Sequence, residues 1–182
     1  MDKPLVWIDC EMTGLNHETD TIIEISCFLT NGKLEFLEPY GFTRVVHCDD
    51  AKLDGMDDWC KNTHGKSGLI EKVRASTNTT ESVQAELMKY LKALTGPKMG
   101  VLAGNSVHVD RLFLLKQFPE LVNYLHYRIV DVSTIKEIGY RQNPKLMSKV
   151  PPKALNHTAK DDILESINEL KWYYKNYFVK PE

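Results

Sequence analysis

The chain has 182 residues, of which 42% are hydrophobic and 26% are charged, and this length and composition suit one globular domain better than two. The formal net charge of −2 at pH 7 argues against a protein that follows long nucleic acid along a basic track. Apolar runs stay short of the ~20 residues that a membrane helix needs, so we expect a single domain, residues 1–182, that does not bind a membrane.

Strand signals dominate the first quarter of the chain. Apolar and β-branched runs predict strands over residues 4–10, 20–30 and 33–47. The last two are separated by Asn31-Gly32, which is a strong hairpin signal. These two strands should therefore pair in antiparallel orientation.

Helical periodicity follows in the middle of the chain. One helix is predicted from residue 79 to 94, and Gly96-Pro97 ends it. The elements predicted after it alternate: strand 100–104, helix 108–117, strand 128–132, helix 132–142 and a final helix 160–176. The stretch Asn143–Lys153, which contains three prolines, is predicted to be a mobile loop. This order predicts one α/β domain with a mixed sheet.

Side-chain patterns add expectations about the core and the compartment. One stripe of the final helix should face the core, and it carries Ile163, Ile167, Leu170 and Tyr174.

The four cysteines form no CxxC pair and no zinc spacing. The hydrophobic core of a chain of this size can stabilise the fold without disulfides. We therefore expect free, mostly buried thiols in a reducing compartment, cytoplasmic or mitochondrial. A first strand that begins near residue 4 leaves no presequence visible.

A pair of acidic residues stands at the end of the first predicted strand, in the string WIDCEMTGL. Because side chains alternate along a strand, Asp9 and Glu11 should point to the same face. Crowded carboxylates need a proton, a basic partner or a cation, and the sequence has no Lys or Arg between Lys3 and Lys33. A hard divalent cation such as Mg²⁺ is the simplest match.

Three more ionisable residues lie at predicted element boundaries. Asp110 follows the fourth predicted strand, His157 precedes the final helix, and Asp162 lies in the first turn of that helix. Taken singly, such residues are more often caps or structural contacts than catalytic groups. Their order after the first acidic pair makes a shared site the better interpretation.

Several longer strings resemble the motifs of one enzyme family. WIDCEMTGL, AGNSVHVD, LHYRIVDVST and HTAKDDI look like those of the oligoribonuclease family, in the histidine subgroup of the DEDD exonucleases. The resemblance extends from about Val6 to Tyr174. It implies a ribonuclease-H-like fold, with a mixed five-stranded sheet flanked by helices. It also implies 3′-to-5′ hydrolysis of RNA of about two to five residues, mainly dinucleotides, to nucleoside 5′-monophosphates.

The resemblance also assigns catalytic roles. Two Mg²⁺ or Mn²⁺ ions per site are implied, and such a pair can stabilise both the attacking and the leaving oxygen. The implied metal ligands are Asp9, Glu11, Asp110 and Asp162. Spacing alone does not separate Asp161 from Asp162, and the family's H-x4-D pattern selects Asp162. His157 is the implied general base, and a histidine with an ordinary pKa of about 6.5 suits that role near neutral pH.

Substrate contacts follow from the same resemblance. Leu15 would be inserted between two bases, with Trp59 and His64 around the terminal nucleotide, and an aromatic face gives sequence-tolerant stacking of ~1–3 kcal/mol per base. Ser67 and Ser106 would hold a 5′ phosphate. Without the resemblance, Leu15 and Trp59 are ordinary packing residues and the two serines are turn or helix-cap residues.

One segment is implied to act across a homodimer. In the family, His126-Tyr127-Arg128 comes from the partner subunit, and Tyr127 completes the catalytic site there. Without the resemblance, Tyr127 and Arg128 are simply the start of a strand.

Three other functions stay open from the sequence. One is a general DNA exonuclease with the same acids, because RNA is distinguished from DNA by contacts to the 2′-hydroxyl. The others are a catalytically silent nucleotide-binding subunit and an α/β domain whose acids only cap helices. The short-RNA exonuclease fits best, since a chain of charge −2 suits a substrate with few phosphates.

Overall fold

The computed structural model describes residues 3–152 and 158–178. Five strands form one sheet in the order β3-β2-β1-β4-β5. The strands are β1 Leu5–Met12, β2 Ile22–Thr30, β3 Phe42–Val45, β4 Val101–Gly104 and β5 Ile129–Asp131. The helices are α1 Asp50–Asp54, α2 Asp58–Lys66, α3 Leu69–Ala75, α4 Thr80–Leu94, α5 Val107–Gln117, α6 Pro119–Tyr124, α7 Val132–Gln142, α8 Pro144–Met147 and α9 Ala159–Asn176. The predicted α/β class with a mixed five-stranded sheet is confirmed.

Strand β1 lies at the centre of the sheet. It pairs with β2 in antiparallel and with β4 in parallel orientation, and β5 continues parallel to β4. The carboxyl ends of β1, β4 and β5 therefore lie at the same edge of the sheet. Strand β4 ends early: its last pair with β1 is Ala103 with Trp7, so β1 extends beyond it.

The two faces of β1 pack against different helices. Val6 and Ile8 belong to a core that includes apolar residues of α4, α5 and α6. Leu5 and Trp7 belong to a second core, which includes apolar residues of α9. Because side chains alternate along a strand, Asp9 and Glu11 continue the row of Leu5 and Trp7 toward α9.

Helix α9 packs on the sheet through one stripe, with one change from the prediction. Ile163, Ile167 and Leu170 are buried as expected, but Tyr174 is 40% exposed. Tyr173 is fully buried instead, and its hydroxyl donates to Glu169 Oε1 at 2.8 Å. Both tyrosines follow Leu170 at helical spacing, so periodicity alone did not decide between them.

The third strand is much shorter than predicted. Only Phe42–Val45 forms β3, and its antiparallel pairing with β2 confirms the orientation. The turn at Asn31 forms, because Asn31 Oδ1 accepts the N–H of Glu35 at 3.0 Å. It leads only to an isolated Thr30–Phe36 bridge. Leu34 and Gly41 both have positive φ, so the chain between the turn and β3 cannot continue as regular strand.

The stretch predicted as a mobile loop, Asn143–Lys153, contains a short helix. Asn143 caps α8 by accepting the N–H of Leu146, and Met147 is buried. Gly139 of α7 makes room for Met147, because a Cβ there would overlap its sulfur. The prediction of a loop is therefore wrong for Pro144–Met147, which form α8. Lys153 lies outside the described residues.

Two other expectations concern the chain as a whole. The four cysteines are buried and free, as expected. Within residues 3–152 and 158–178, no helix has the length and apolar character needed to cross a membrane.

Candidate active site

Three carboxylates meet at the carboxyl end of β1. Asp9 and Glu11 come from β1 and Asp162 comes from the first turn of α9. One oxygen from each lies within 4.8 Å of the others, and all three residues are half-buried. The structure therefore brings together three of the four acids that the sequence singled out.

The fourth acid, Asp110, approaches the same strand from α5. Its Oδ1 accepts the backbone N–H of Cys10 at 3.0 Å, and its side chain is buried. Strand β4 has already ended at this level, so the carboxylate supplies a hydrogen-bond acceptor where a neighbouring strand would otherwise do so. Asp110 is close to the three clustered acids but is not one of the group within 4.8 Å.

A glutamate that was not predicted from the sequence fixes the start of helix α9. Glu24 on β2 lies directly opposite Glu11 and is buried. Its Oε2 accepts the N–H of Ala159 at 3.2 Å, at the first residue of α9. A carboxylate at a helix N-terminus is favourable, and this contact places Asp162 beside β1. The available signal was a charged residue inside the apolar run Ile22–Ile25.

A pocket of about 490 Å³ opens beside Glu11. Leu15, Trp59 and His64, the side chains predicted to surround the terminal nucleotides, all line it. Leu15 is 81% exposed and Trp59 is 63% exposed, so neither is an ordinary packing residue. Two large apolar side chains at the mouth of a pocket suit flat, apolar ligand groups such as bases.

His64 lies in the wall of the pocket and is itself buried. Its Nε2 lies 2.8 Å from the carbonyl oxygen of Met12, so this nitrogen carries a proton and donates. Its Nδ1 lies 3.7 Å from Glu11 Oε2. The imidazole thus joins α2 to the end of β1, and it contacts both the pocket and the acidic cluster.

The two serines have different surroundings. Ser67 lies at the end of α2, and its hydroxyl donates to the carbonyl of His64 at 3.2 Å. Ser106 precedes α5 with φ of 53° and makes no side-chain cap, so its exposed hydroxyl is not used as a helix cap. Asp131, whose role was also not predicted from the sequence, fixes the Ser106 backbone by accepting its N–H at 2.9 Å.

The segment His126-Tyr127-Arg128 lies far from its own chain's acids. It directly precedes β5, so it is not the start of a strand, and the His126 N–H donates to Gly100 O just before β4. Since β1, β4 and β5 are parallel, this is the edge of the sheet opposite the acids, about 20 Å away at ~3.3 Å per residue. The His126 and Tyr127 rings stack at 4.6 Å, with the Arg128 guanidinium 5.5 Å from the Tyr127 centroid.

His157, the predicted general base, lies outside the described residues. The described chain resumes at Thr158, which caps α9 by accepting the Asp161 N–H. In the sequence, His157 therefore precedes the helix that carries Asp162.

With this geometry in view, comparison with known proteins identifies the family. Residues 6–170 match the family model described as Exonuclease. The mitochondrial oligoribonuclease of Saccharomyces cerevisiae is 47% identical over 187 residues, covering 99% of this chain and 70% of that protein. The chain belongs to the oligoribonuclease family of exonucleases. The mitochondrial oligoribonuclease of Homo sapiens is 46% identical, covering 99% and 76%, and that of Acinetobacter baylyi is 43% identical, covering 98% and 97%.

Solved structures bear on the fold of this oligoribonuclease family member. E. coli Exonuclease I in complex with a 5cy-dT13 oligonucleotide aligns with a TM-score of 0.73 at 13% identity, covering 97% of this chain and 42% of the other. Cell-death related nuclease 4 aligns with a TM-score of 0.66 at 13% identity, covering 95% and 64%. This chain spans less than half of Exonuclease I, and the likeness concerns the fold, which is ribonuclease-H-like as predicted.

The acidic cluster is electrostatically costly when no cation is present. Burial, together with the charges of Asp162, Glu24 and Asp110, raises the pKa of Glu11 to about 8. Burial also raises the pKa of Asp110 and of Glu24, although the Cys10 and Ala159 N–H groups oppose this. Hard oxygen donors at this density fit Mg²⁺ or Mn²⁺ equally well.

Replacing Glu11 tests whether its carboxylate destabilises the metal-free protein. The pKa of Glu11 is 4.5 in ordinary surroundings and about 8 in the folded protein, so the unfolded chain loses its proton at lower pH than the folded chain. The free energy of unfolding of the metal-free protein therefore falls as pH rises between these values. Glu11→Gln removes the penalty, and its melting temperature in EDTA should exceed that of wild type by more at pH 8 than at pH 5.

The control is Glu71→Gln, at a glutamate that is 82% exposed. It should follow the wild-type curve at every pH. A Glu11→Gln variant that melts below wild type at pH 8 in EDTA would show that the carboxylate is not destabilising.

Proposed function

We propose that this chain is a metal-dependent 3′-to-5′ exoribonuclease that hydrolyses RNA of about two to five residues, mainly dinucleotides, to nucleoside 5′-monophosphates. The observation that carries this proposal is the cluster of Asp9, Glu11 and Asp162 beside a pocket with Leu15 and Trp59 at its mouth. Membership in the oligoribonuclease family supports the reaction and the substrate class.

The acids are the proposed metal ligands. Asp9, Glu11 and Asp162 would hold divalent ions, and Asp110 would complete the set from α5, beside the part of β1 that extends beyond β4. Two such ions would supply charge stabilisation for the attacking water and for the departing 3′-oxygen. The protein's part is to keep the carboxylates in place, and the Glu24 contact to α9 does so for Asp162.

The pocket residues are the proposed base-binding group. Leu15 would separate the last two bases and Trp59 would stack on one of them. These contacts hold a substrate by its end, so a longer strand would gain little affinity. A net charge of −2 gives no basic track that would change this.

The chemistry itself requires one proton acceptor. A water oxygen bonds to the scissile phosphorus, and the bond from phosphorus to the 3′-oxygen breaks. The attacking water loses a proton, and the departing 3′-oxygen takes one up from solvent to become the product's hydroxyl. We assign the water proton to His157 from the family motif, because an imidazole accepts protons near neutral pH.

Ser106, with its exposed hydroxyl at the same edge of the sheet, is the better of the two serines to hold a 5′ phosphate, since the Ser67 hydroxyl donates to the carbonyl oxygen of His64.

Where the protein works is part of the proposal. Four free, buried cysteines suit a reducing compartment, and several relatives are named mitochondrial. We place the enzyme in the cytoplasm or the mitochondrion.

The experiment that tests the activity uses 5′-labelled RNA of two to about twenty nucleotides, with Mg²⁺, with Mn²⁺ and with EDTA. We expect kcat/KM to be highest for dinucleotides and activity to disappear in EDTA. Asp162→Asn should lower kcat by roughly 10³-fold or more, since several kcal/mol of charge stabilisation is lost. A rise in kcat/KM out to twenty nucleotides, or equal cleavage of DNA, would favour a general exonuclease.

We also propose a two-fold homodimer in which His126, Tyr127 and Arg128 complete the partner's site. The support is geometric: this exposed group lies at the edge of the sheet opposite its own acids, so it cannot serve them. Its stacked rings and the cationic Arg128 suit a base and a phosphate. A symmetric dimer can bring each such segment to the other subunit's pocket.

Subunit mixing tests this arrangement. Tyr127→Ala and Asp110→Asn should each be inactive alone, because every site in either homodimer carries one defect. After exchange, each heterodimer has one site with intact acids and an intact Tyr127. We therefore expect activity at about a quarter of all sites in an equal mixture. No recovery after proven exchange, or a monomer by light scattering, would refute the dimer.

A further inference from the structure

The loop that carries Leu15 is held in place by a network of hydrogen bonds. This Leu15 loop, residues 13–21, joins β1 to β2 and presents the side chain that is 81% exposed. Its two ends are joined by the Thr13 N–H, which donates to Thr21 O at 3.0 Å, and by the Thr21 N–H, which donates to Thr13 Oγ1 at 3.1 Å. An exposed leucine gains nothing from folding, so this organisation serves some other purpose.

Asp20 is the centre of the loop's hydrogen bonds. Its Oδ1 accepts the Thr13 hydroxyl at 3.1 Å and its Oδ2 accepts the Asn16 N–H at 2.9 Å. These two partners flank Gly14 and Leu15 in the sequence, so one carboxylate fixes the chain on both sides of the leucine. Gly14 is needed there, because a Cβ at this position would overlap the Asp20 carboxylate.

Gln117 fastens the base of the loop to α5. Its Oε1 accepts the Thr21 hydroxyl at 2.9 Å and the Ile22 N–H at 3.0 Å, and its Nε2 donates to Asp20 O at 3.3 Å. Helix α5 is the helix that carries Asp110. The position of Leu15 is therefore fixed relative to the acids through two short hydrogen-bonded steps.

We propose that Asp20 is a positioning residue for substrate binding: it holds Leu15 where the leucine separates the two terminal bases of a short RNA. The inference rests on the proposed function of the site. A loop that is already ordered avoids the entropic cost of ordering on binding. Loss of the Asp20 contacts therefore weakens binding of two-base substrates and leaves the metal-binding acids unchanged.

The test compares two substrates that differ in their need for Leu15. A dinucleotide has two bases to separate, whereas the p-nitrophenyl ester of uridine 5′-monophosphate has one base and the same type of scissile phosphodiester. Asp20→Ala should raise KM for the dinucleotide roughly tenfold, the effect of losing about 1.4 kcal/mol from charge-assisted hydrogen bonds. Its kcat/KM for the ester should stay within about twofold of wild type.

Two further variants separate positioning from general damage. In Asp20→Asn, the amide oxygen can accept the Asn16 N–H while the amide nitrogen donates to the Thr13 hydroxyl, so this variant should recover most of the dinucleotide affinity. Gly14→Ala should reproduce the Asp20→Ala effect, because its methyl group displaces the carboxylate. It also provides the test if Asp20→Ala fails to fold.

The matched control is Glu38→Ala. Glu38 also organises a surface loop, by accepting the N–H groups of Tyr40 and Gly41, but neither it nor these partners line the pocket. It should leave both substrates unaffected. Equal losses on both substrates in Asp20→Ala, or wild-type KM in Asp20→Ala and Gly14→Ala, would overturn the inference.

A catalysis-independent measurement keeps this test separate from that of the proposed function. Amide hydrogen exchange at Asn16 should speed up in Asp20→Ala and not in Asp20→Asn, whatever the enzyme hydrolyses, and unchanged exchange would overturn the inference. Anisotropy of a labelled dinucleotide whose scissile phosphate cannot be hydrolysed, measured with Mn²⁺, reports binding directly. Failure of wild type to bind it would refute the proposed function, and the exchange data would still decide whether Asp20 positions the loop.

Discussion

The structure depends most on how it accommodates several buried and half-buried carboxylates at one end of β1. Asp9 and Glu11 share a face of that strand, Asp162 adds a third charge, and Glu24 lies opposite Glu11. Folding brings these groups together at a cost in free energy, which is reflected in the raised pKa of Glu11. That cost makes sense in a site that works with bound cations, since oxygen donors already held together lose little entropy when they bind metal. Under the proposed function, the site would give up some stability of the metal-free protein for order in the metal-bound form.

Three neighbouring elements, β2, α5 and α2, help to keep this arrangement. Glu24 takes the first N–H of α9 and so fixes Asp162, whereas Asp110 takes a β1 N–H beyond the end of β4. His64 joins α2 to Met12 at the end of β1. The same strand thus leads into the acids, the pocket wall and the Leu15 loop. The acidic cluster and the pocket are therefore built on one rigid segment, and the proposed binding of metal and of bases there would suit a reaction that needs the scissile phosphate placed accurately.

Much of this was predictable from local sequence signals, and the exceptions have physical reasons. The acidic pair, the helix from Thr80 and the order of the elements follow from periodicity and capping, which are local. The extent of β3 was not predictable, because positive φ at Leu34 and Gly41 interrupts a stretch whose residues otherwise favour strand. Glu24 and Asp131 were missed because their roles depend on partners more than twenty residues away. The side of α9 that holds Tyr173 was ambiguous by spacing alone.

One measurement tests the central claim most directly: a crystal structure with Mn²⁺ and a dinucleotide whose scissile phosphate cannot be hydrolysed, with the metal located by anomalous scattering. We predict Mn²⁺ bound to oxygens of Asp9, Glu11 and Asp162, and the two bases separated by Leu15 with Trp59 stacked on one of them. Mn²⁺ bound away from these carboxylates, or a dinucleotide bound outside the pocket beside Glu11, would contradict this account of the site.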